Sequence, residues 1–167
     1  MSVEVITIDM AEMAVGSHDT KIQTISLGSC VAIILHDHKA NIGGMAHAML
    51  PSRALISPVD PAGGAQTPKA GSSVAKFVDE AVDRLYKEIE KLGAKKENVR
   101  AKLVGGATMF RLLAGNEQGI GYRNAESART CLRTLGIAIE SEDLGGTVGR
   151  AAELDMASGL VLVTTVI

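Results

Sequence analysis

Apolar residues in this chain fall into short β-branched or aliphatic runs of strand length and one long run at helical spacing. Val3 to Ile8 reads as an early strand, and a polar stretch follows around Gly16-Ser17-His18-Asp19. Val31-Ala32-Ile33-Ile34-Leu35 is a second run of strand length. The turn-like Asp37-His38-Lys39-Ala40 and another apolar segment, Ile42 to Leu50, complete the pattern of a β-hairpin. Ser73 to Leu92 is the clearest helix. Val74, Val78, Ala81, Val82, Leu85, Ile89 and Leu92 recur at helical spacing, and Gly93 sits where a terminating glycine belongs. Ala101 to Val104 reads as a short buried strand ending in Gly105-Gly106. Asn124 is placed to cap a helix from Ala125 to Leu135, which Gly136 ends. Ile137 to Glu140 and Leu160 to Ile167 complete the strands. Strands first, then helices alternating with strands, predict an α+β fold with a mixed sheet and helices packed on one face. All four prolines lie between Pro51 and Pro68, beside Gly63-Gly64 and Gly71, so 51–72 reads as a proline- and glycine-rich loop inside a single domain spanning 1–167, mobile in preference to a lid or binding loop.

The hairpin turns sequence separation into a spatial prediction. If Asp37 to Ala40 form the loop, residue i faces residue 77 − i, and Cys30 falls opposite His47. Directly opposed residues have Cβ atoms roughly 4.5–5.5 Å apart on one face. A thiol and an imidazole at that separation form a nucleophile–base pair, and an imidazolium beside the thiol would lower its pKa. A bulge at Gly43-Gly44 would shift this register by one. Gly28 and Ser29 precede the cysteine and permit close backbone approach, so N–H groups there become candidate oxyanion donors. Thr24, six residues before Cys30, reaches the imidazole through its hydroxyl or its carbonyl if 24–30 runs extended alongside.

Composition narrows the field. The chain has 167 residues, 46% hydrophobic but only 2% aromatic, with a formal net charge of −2. Such a core is aliphatic, and a chain with neither a basic cluster nor aromatic stacking residues is a poor nucleic-acid partner. No run approaches membrane-spanning length, and the N-terminus lacks a basic, apolar leader pattern. The two cysteines form no spaced framework. The expectation is a cytoplasmic, monomeric globular domain without metal or cofactor.

Each chemical candidate has a plainer explanation. A lone cysteine is usually a small buried hydrophobe, and a histidine on an apolar strand is usually a satisfied core residue; only their pairing makes them interesting. Met45 and Met49 share the face of His47, while Ala46 and Ala48 occupy the other; such small residues leave room for a substrate side chain and equally fit ordinary sheet packing. Cys131 lies with Ala128, Leu132 and Leu135 on the apolar face of its helix, which marks it as structural. His36 and His38 flank the turn without further ligands for a metal, so a solvated turn explains them. Gly105-Gly106-Ala107 and Gly145-Gly146-Thr147-Val148-Gly149-Arg150 lack the flanks of phosphate loops and read as tight turns or points of close backbone approach.

Thr24-Ile25-Ser26-Leu27-Gly28-Ser29-Cys30-Val31-Ala32, Gly43-Gly44-Met45-Ala46-His47 and Met49-Leu50-Pro51 together resemble the signature of the CheD family of chemoreceptor glutamine deamidases. The likeness continues through Lys76 to Ala81, Gly105-Gly106-Ala107-Thr108-Met109-Phe110, Arg123-Asn124 and Glu142 to Arg150, covering nearly the whole chain in order. The resemblance implies a cysteine hydrolase with a three-layered α/β/β sandwich. Its substrates would be glutamine side chains of methyl-accepting chemotaxis receptors, converted to glutamate. It implies Cys30 as nucleophile, His47 as general base and acid, and Thr24 as the orienting third member. It also implies binding to a CheC-type phosphatase, with Phe110 as the contact; the alternative is a non-catalytic adaptor that docks to and stimulates that phosphatase.

Overall fold

In a computed structural model of the chain, residues 2–53, 74–109 and 119–166 are described. Nine strands and two α-helices form two sheets and a helical layer: β1 (Glu4–Thr7), β2 (Met13–Ser17), β3 (Thr20–Leu27), β4 (Val31–Asp37), β5 (Ile42–Ala48), α1 (Val78–Lys91), β6 (Val99–Gly105), α2 (Ile120–Leu135), β7 (Ala138–Leu144), β8 (Gly149–Asp155) and β9 (Val161–Val166). One sheet has the order β1-β3-β8-β9 and the other β2-β5-β4-β6-β7. Both are mixed, because β1 runs parallel to β3 and β6 parallel to β7 while the other pairs are antiparallel.

Alternation along the strands sets the layer order. Every residue of β4 and β5 is buried, as expected of strands covered on both faces. Val31, Ile33, Leu35, Ala46 and Ala48 pack with Val78, Val82, Leu85 and Ile89 of α1 and with Leu132 of α2. Ala32, Ile34 and Met45 point the other way, into a second cluster with Ile22 of β3 and Leu154 of β8. The five-stranded sheet is therefore the middle layer, with helices on one side and the four-stranded sheet on the other. This is the α/β/β sandwich that the resemblance implied. Burying side chains such as Leu85 and Ile89 contributes about 1.5–3 kcal/mol each.

The helices differ from expectation at their starts. α1 begins at Val78, because the preceding residues pair with the end of the hairpin: Met49 and Leu50 donate their N–H groups to the Lys76 carbonyl, and Val78 donates to Leu50. α2 begins at Ile120 with Gly119 as its N-cap, so Asn124 is an interior residue rather than a cap. Gly136, in the left-handed conformation at φ 79°, closes α2 as expected. Strands β2, β3 and β8 were not anticipated. The polar stretch at 16–19 holds the end of β2 and, at His18-Asp19, the connection that carries the chain from the middle sheet to β3 in the outer one. Most of the 51–72 loop lies outside the described residues.

The hairpin register also differs. β4 and β5 pair from Val31↔Ala48 to Asp37↔Ile42 without interruption, so residue i faces residue 79 − i and no bulge interrupts Gly43-Gly44. The turn starts one residue later than predicted because Asp37 is part of it only through its side chain. Its carboxylate accepts hydrogen bonds from the N–H groups of Lys39, Ala40 and Lys95, and its carbonyl accepts from Asn41. Burial alone would raise the Asp37 pKa, but these backbone donors outweigh it and hold the carboxyl below its ordinary value. The two glycines serve close packing: a Cβ on Gly43 would meet the Leu35 carbonyl, and one on Gly44 would lie 2.7 Å from the Ala14 carbonyl.

Candidate active site

His47 therefore faces Ala32, and Cys30 lies one residue before β4 and two positions from that partner. A register shift of one would have sent the two side chains to opposite faces; a shift of two leaves them on the same face. They are diagonal neighbours, with backbones roughly 7–8 Å apart and long side chains still within reach. Ala32, the residue opposite the imidazole, puts no bulk between ring and thiol. Ala46 and Ala48 prove to face the helices, so they pack α1 rather than make room for a substrate.

The imidazole is held at three points. Its residue's N–H donates to the Glu12 carbonyl, and its carbonyl accepts from Ala11. Its ring Nδ1 lies 2.7 Å from the Thr24 hydroxyl oxygen, which is 2.9 Å from the Ile8 carbonyl. A carbonyl only accepts, so the single hydroxyl proton of Thr24 goes to Ile8. The hydroxyl oxygen must then accept from His47, which places the ring proton on Nδ1. Nε2 is left with its lone pair, and it is buried without a hydrogen-bond partner among the described residues. Of the two Thr24 atoms left open by the sequence, the hydroxyl makes the contact. It is positioned where β3 breaks step with β8 between Thr24 and Leu27, an irregularity that re-aims the chain before Gly28.

Burial lowers the His47 pKa to about 4, against a smaller opposing pull from Asp9. Burial also raises the Cys30 thiol, although its own backbone N–H, which lies against the sulfur, pulls the other way. The resting pair is accordingly a neutral thiol and a neutral imidazole. The thiolate–imidazolium pair expected from the sequence is corrected by desolvation, which penalises both charged forms.

The segment carrying Cys30 is tied down by its carbonyls. Gly28 accepts from the Ala107 N–H, Cys30 from the Gly106 N–H, and Ser29 from the Asn124 side chain at 2.9 Å. Gly105 and Gly106 have φ of 114° and 61°, and a Cβ on Gly105 would strike the Cys30 carbonyl. The glycine pair is thus a close-approach element, as its sequence suggested. The buried Arg150 guanidinium fixes this corner from the other sheet, donating to the Gly105 carbonyl at 3.1 Å and to Asp143 at 3.0 Å.

Several candidates fall elsewhere. Cys131 packs against the helical core and stays apart from the cluster. His38 is exposed and bonds the Asn98 carbonyl, whereas His36 is buried against the Met156 carbonyl and is not part of a solvated turn. Among the described residues no group of histidine, cysteine and carboxylate side chains could hold a metal. Phe110 lies outside the described residues. Asn124, expected at a helix start, is instead fully buried in the structure. Its spacing from Ala128 and Leu132, four and eight positions on, placed a polar amide on the buried helix face and was the available signal.

Fold and site define a class: an α/β/β sandwich whose two facing sheets enclose a cysteine, a histidine and a threonine. The family model for CheD chemotactic sensory transduction matches residues 49–165. The chain is 40% identical over 162 residues to the probable chemoreceptor glutamine deamidase CheD of Pyrococcus abyssi, covering 97% of this chain and 92% of that protein. It is 37% identical over 164 residues to the chemoreceptor glutamine deamidase CheD of Halalkalibacterium halodurans, covering 98% and 94%. A probable CheD of Methanococcus maripaludis strain C5 is 37% identical over 159 residues, covering 95% and 94%. The chain belongs to the CheD family.

Proposed function

We propose that this protein deamidates glutamine side chains of methyl-accepting chemotaxis receptors, with Cys30 as nucleophile, His47 as general base and acid, and Thr24 as the group that orients the ring. The observation that carries this reading is the Thr24–His47 hydrogen bond at 2.7 Å, which commits Nδ1 and leaves a buried Nε2, without a partner among the described residues, on the face shared with Cys30. The names of the relatives supply the substrate class.

The chemistry follows from the neutral resting pair. His47 Nε2 takes the thiol proton as the Cys30 sulfur attacks the carboxamide carbon. The oxyanion is met by the backbone N–H of Cys30, which already lies against the sulfur, and by that of Ser29. The tetrahedral species collapses as His47 passes its proton to the departing nitrogen, releasing ammonia and leaving a thioester. Nε2 then deprotonates a water that attacks the thioester, and the thiol recovers its proton as glutamate leaves. Gln side chain plus water gives Glu side chain plus ammonia. Nε2 makes no hydrogen bond at rest among the described residues, which leaves its lone pair free to take the thiol proton.

A CheC-type phosphatase is the partner implied by the family resemblance, and the proposal retains it together with a cytoplasmic location. Among the described residues no helix is long and apolar enough to cross a membrane. The test is incubation with receptor cytoplasmic fragments, reading the amide-to-acid mass gain at glutamine by mass spectrometry. Cys30→Ala is expected to abolish it, and undiminished conversion by that variant would sink the assignment. Phosphatase stimulation that persists in Cys30→Ala would show that an adaptor role is separable from catalysis.

A further inference from the structure

We propose that Asn124 is a positioning residue that holds the Cys30 segment and the His47 segment at their working separation; this rests on the Cys30–His47 reading above. The β4–β5 ladder ends at Val31↔Ala48, one residue short of Cys30 and one beyond His47. Past that point the main-chain rungs stop. Met49 turns its N–H to the Lys76 carbonyl in the approach to α1. What spans the gap is a side chain: Asn124 Nδ2 donates to the Ser29 carbonyl at 2.9 Å and to the Met49 carbonyl at 3.0 Å. Ser29 is the residue before Cys30, and Met49 is two beyond His47. One carboxamide therefore replaces the missing rung between the strand ends that carry the nucleophile and the base.

Two further observations separate this from ordinary packing. Asn124 is fully buried, yet its Oδ1 has no hydrogen-bond partner among the described residues. A buried acceptor left unsatisfied is costly, and a position selected only for packing would be cheaper as an apolar residue. The amide orientation is also unambiguous, because the flipped group would set an oxygen against two carbonyl oxygens. The backbone of α2 is itself seated against the glycine corner: a Cβ on Gly121 would collide with the Ala107 carbonyl, and one on Gly106 would lie 2.9 Å from the Gly121 carbonyl. The helix thereby places Asn124 relative to the same Gly106 and Ala107 that bond Cys30 and Gly28.

The experiment is a double-mutant cycle on thiol reactivity in the full chain. Alkylation of the Cys30 peptide by iodoacetamide at neutral pH is followed by mass spectrometry in the wild type, His47→Ala, Asn124→Leu and the double variant. With the base in place, His47→Ala slows alkylation in the wild-type background. If Asn124 positions the pair, Asn124→Leu slows it comparably, and adding His47→Ala then costs nothing more. On receptor fragments, kcat should fall by about tenfold to hundredfold with KM unchanged, as expected for misplaced reacting groups. Asn124→Asp serves as the second variant should the leucine variant fail to fold, since its carboxylate oxygens repel both carbonyls. The proposal is overturned if His47→Ala costs the same factor with and without Asn124, or if folded Asn124→Asp keeps wild-type kcat. Alkylation indifferent to His47 in the wild type would instead remove the Cys30–His47 reading itself, a result distinct from either.

Discussion

A single hydroxyl decides which ring nitrogen of His47 is available. Thr24 has one proton to give and donates it to Ile8, so its oxygen accepts from Nδ1 and Nε2 keeps its lone pair. Thr24→Val keeps the shape and removes this constraint. It should lower kcat by about a hundredfold, less than the roughly 10⁴ lost when an orienting carboxylate becomes an amide. The same change should destabilise the fold by about 1–3 kcal/mol, because a buried carbonyl and a buried N–H lose their partner. Steady-state kinetics beside a denaturation curve separate the two effects. Since burial holds His47 near a pKa of about 4, the acid limb of kcat/KM should lie well below the ordinary histidine value of about 6.5. A midpoint at 6.5 in a pH–rate profile would contradict the neutral-pair mechanism.

At the scale of elements, the β4–β5 turn and the glycine corner do most to place the thiol. Asp37 starts the turn and sets the register by receiving three backbone N–H groups. Asp37→Ala should cost about 2–3 kcal/mol in urea denaturation, the scale of charge-assisted hydrogen bonds lost from a buried acceptor. The sequence showed both strands and a turn, yet it misplaced the turn by one residue, since an aspartate at a strand end looks like a loop residue until the donors to its carboxylate are counted. Gly105 is different in kind, because its φ of 114° and its approach to the Cys30 carbonyl both exclude a side chain. Gly105→Ala should cost about 1–3 kcal/mol from backbone strain alone. It should also displace Cys30, so activity should fall in a variant that thermal melting shows to be folded at the assay temperature.

Across the whole molecule, one buried imidazole couples stability to pH. In the unfolded chain His47 binds a proton below about 6.5, whereas in the folded chain it does so only below about 4. Between those values the unfolded state holds more protons, so stability falls as pH drops through this window and is full above it. The shift corresponds to about 3 kcal/mol once pH is below 4. His47→Gln should flatten the stability–pH curve between 4 and 6.5 relative to wild type, measured by urea titration at several pH values. An unchanged slope would show that other groups carry the acid sensitivity. The sandwich makes this coupling possible, because it packs two sheets over His47 and Thr24 and buries both.

Periodicity and composition by themselves determined the α+β class, the two helices, the hairpin and the identity of the thiol and imidazole, because these depend on local spacing and side-chain chemistry. Helix α1 and the β4 and β5 runs were legible for that reason. Tertiary structure decided what depends on partners distant in the chain. It delayed the start of α1 through pairing with residues 49 and 50, split β2 and β3 between two sheets, and moved the register by two. It chose the hydroxyl of Thr24 over its carbonyl and turned Asn124 from a helix cap into a buried bridge between strand ends. It also disfavoured the charged forms of the pair, since burial is a property of the fold and desolvation raises the thiol pKa and lowers that of the imidazole.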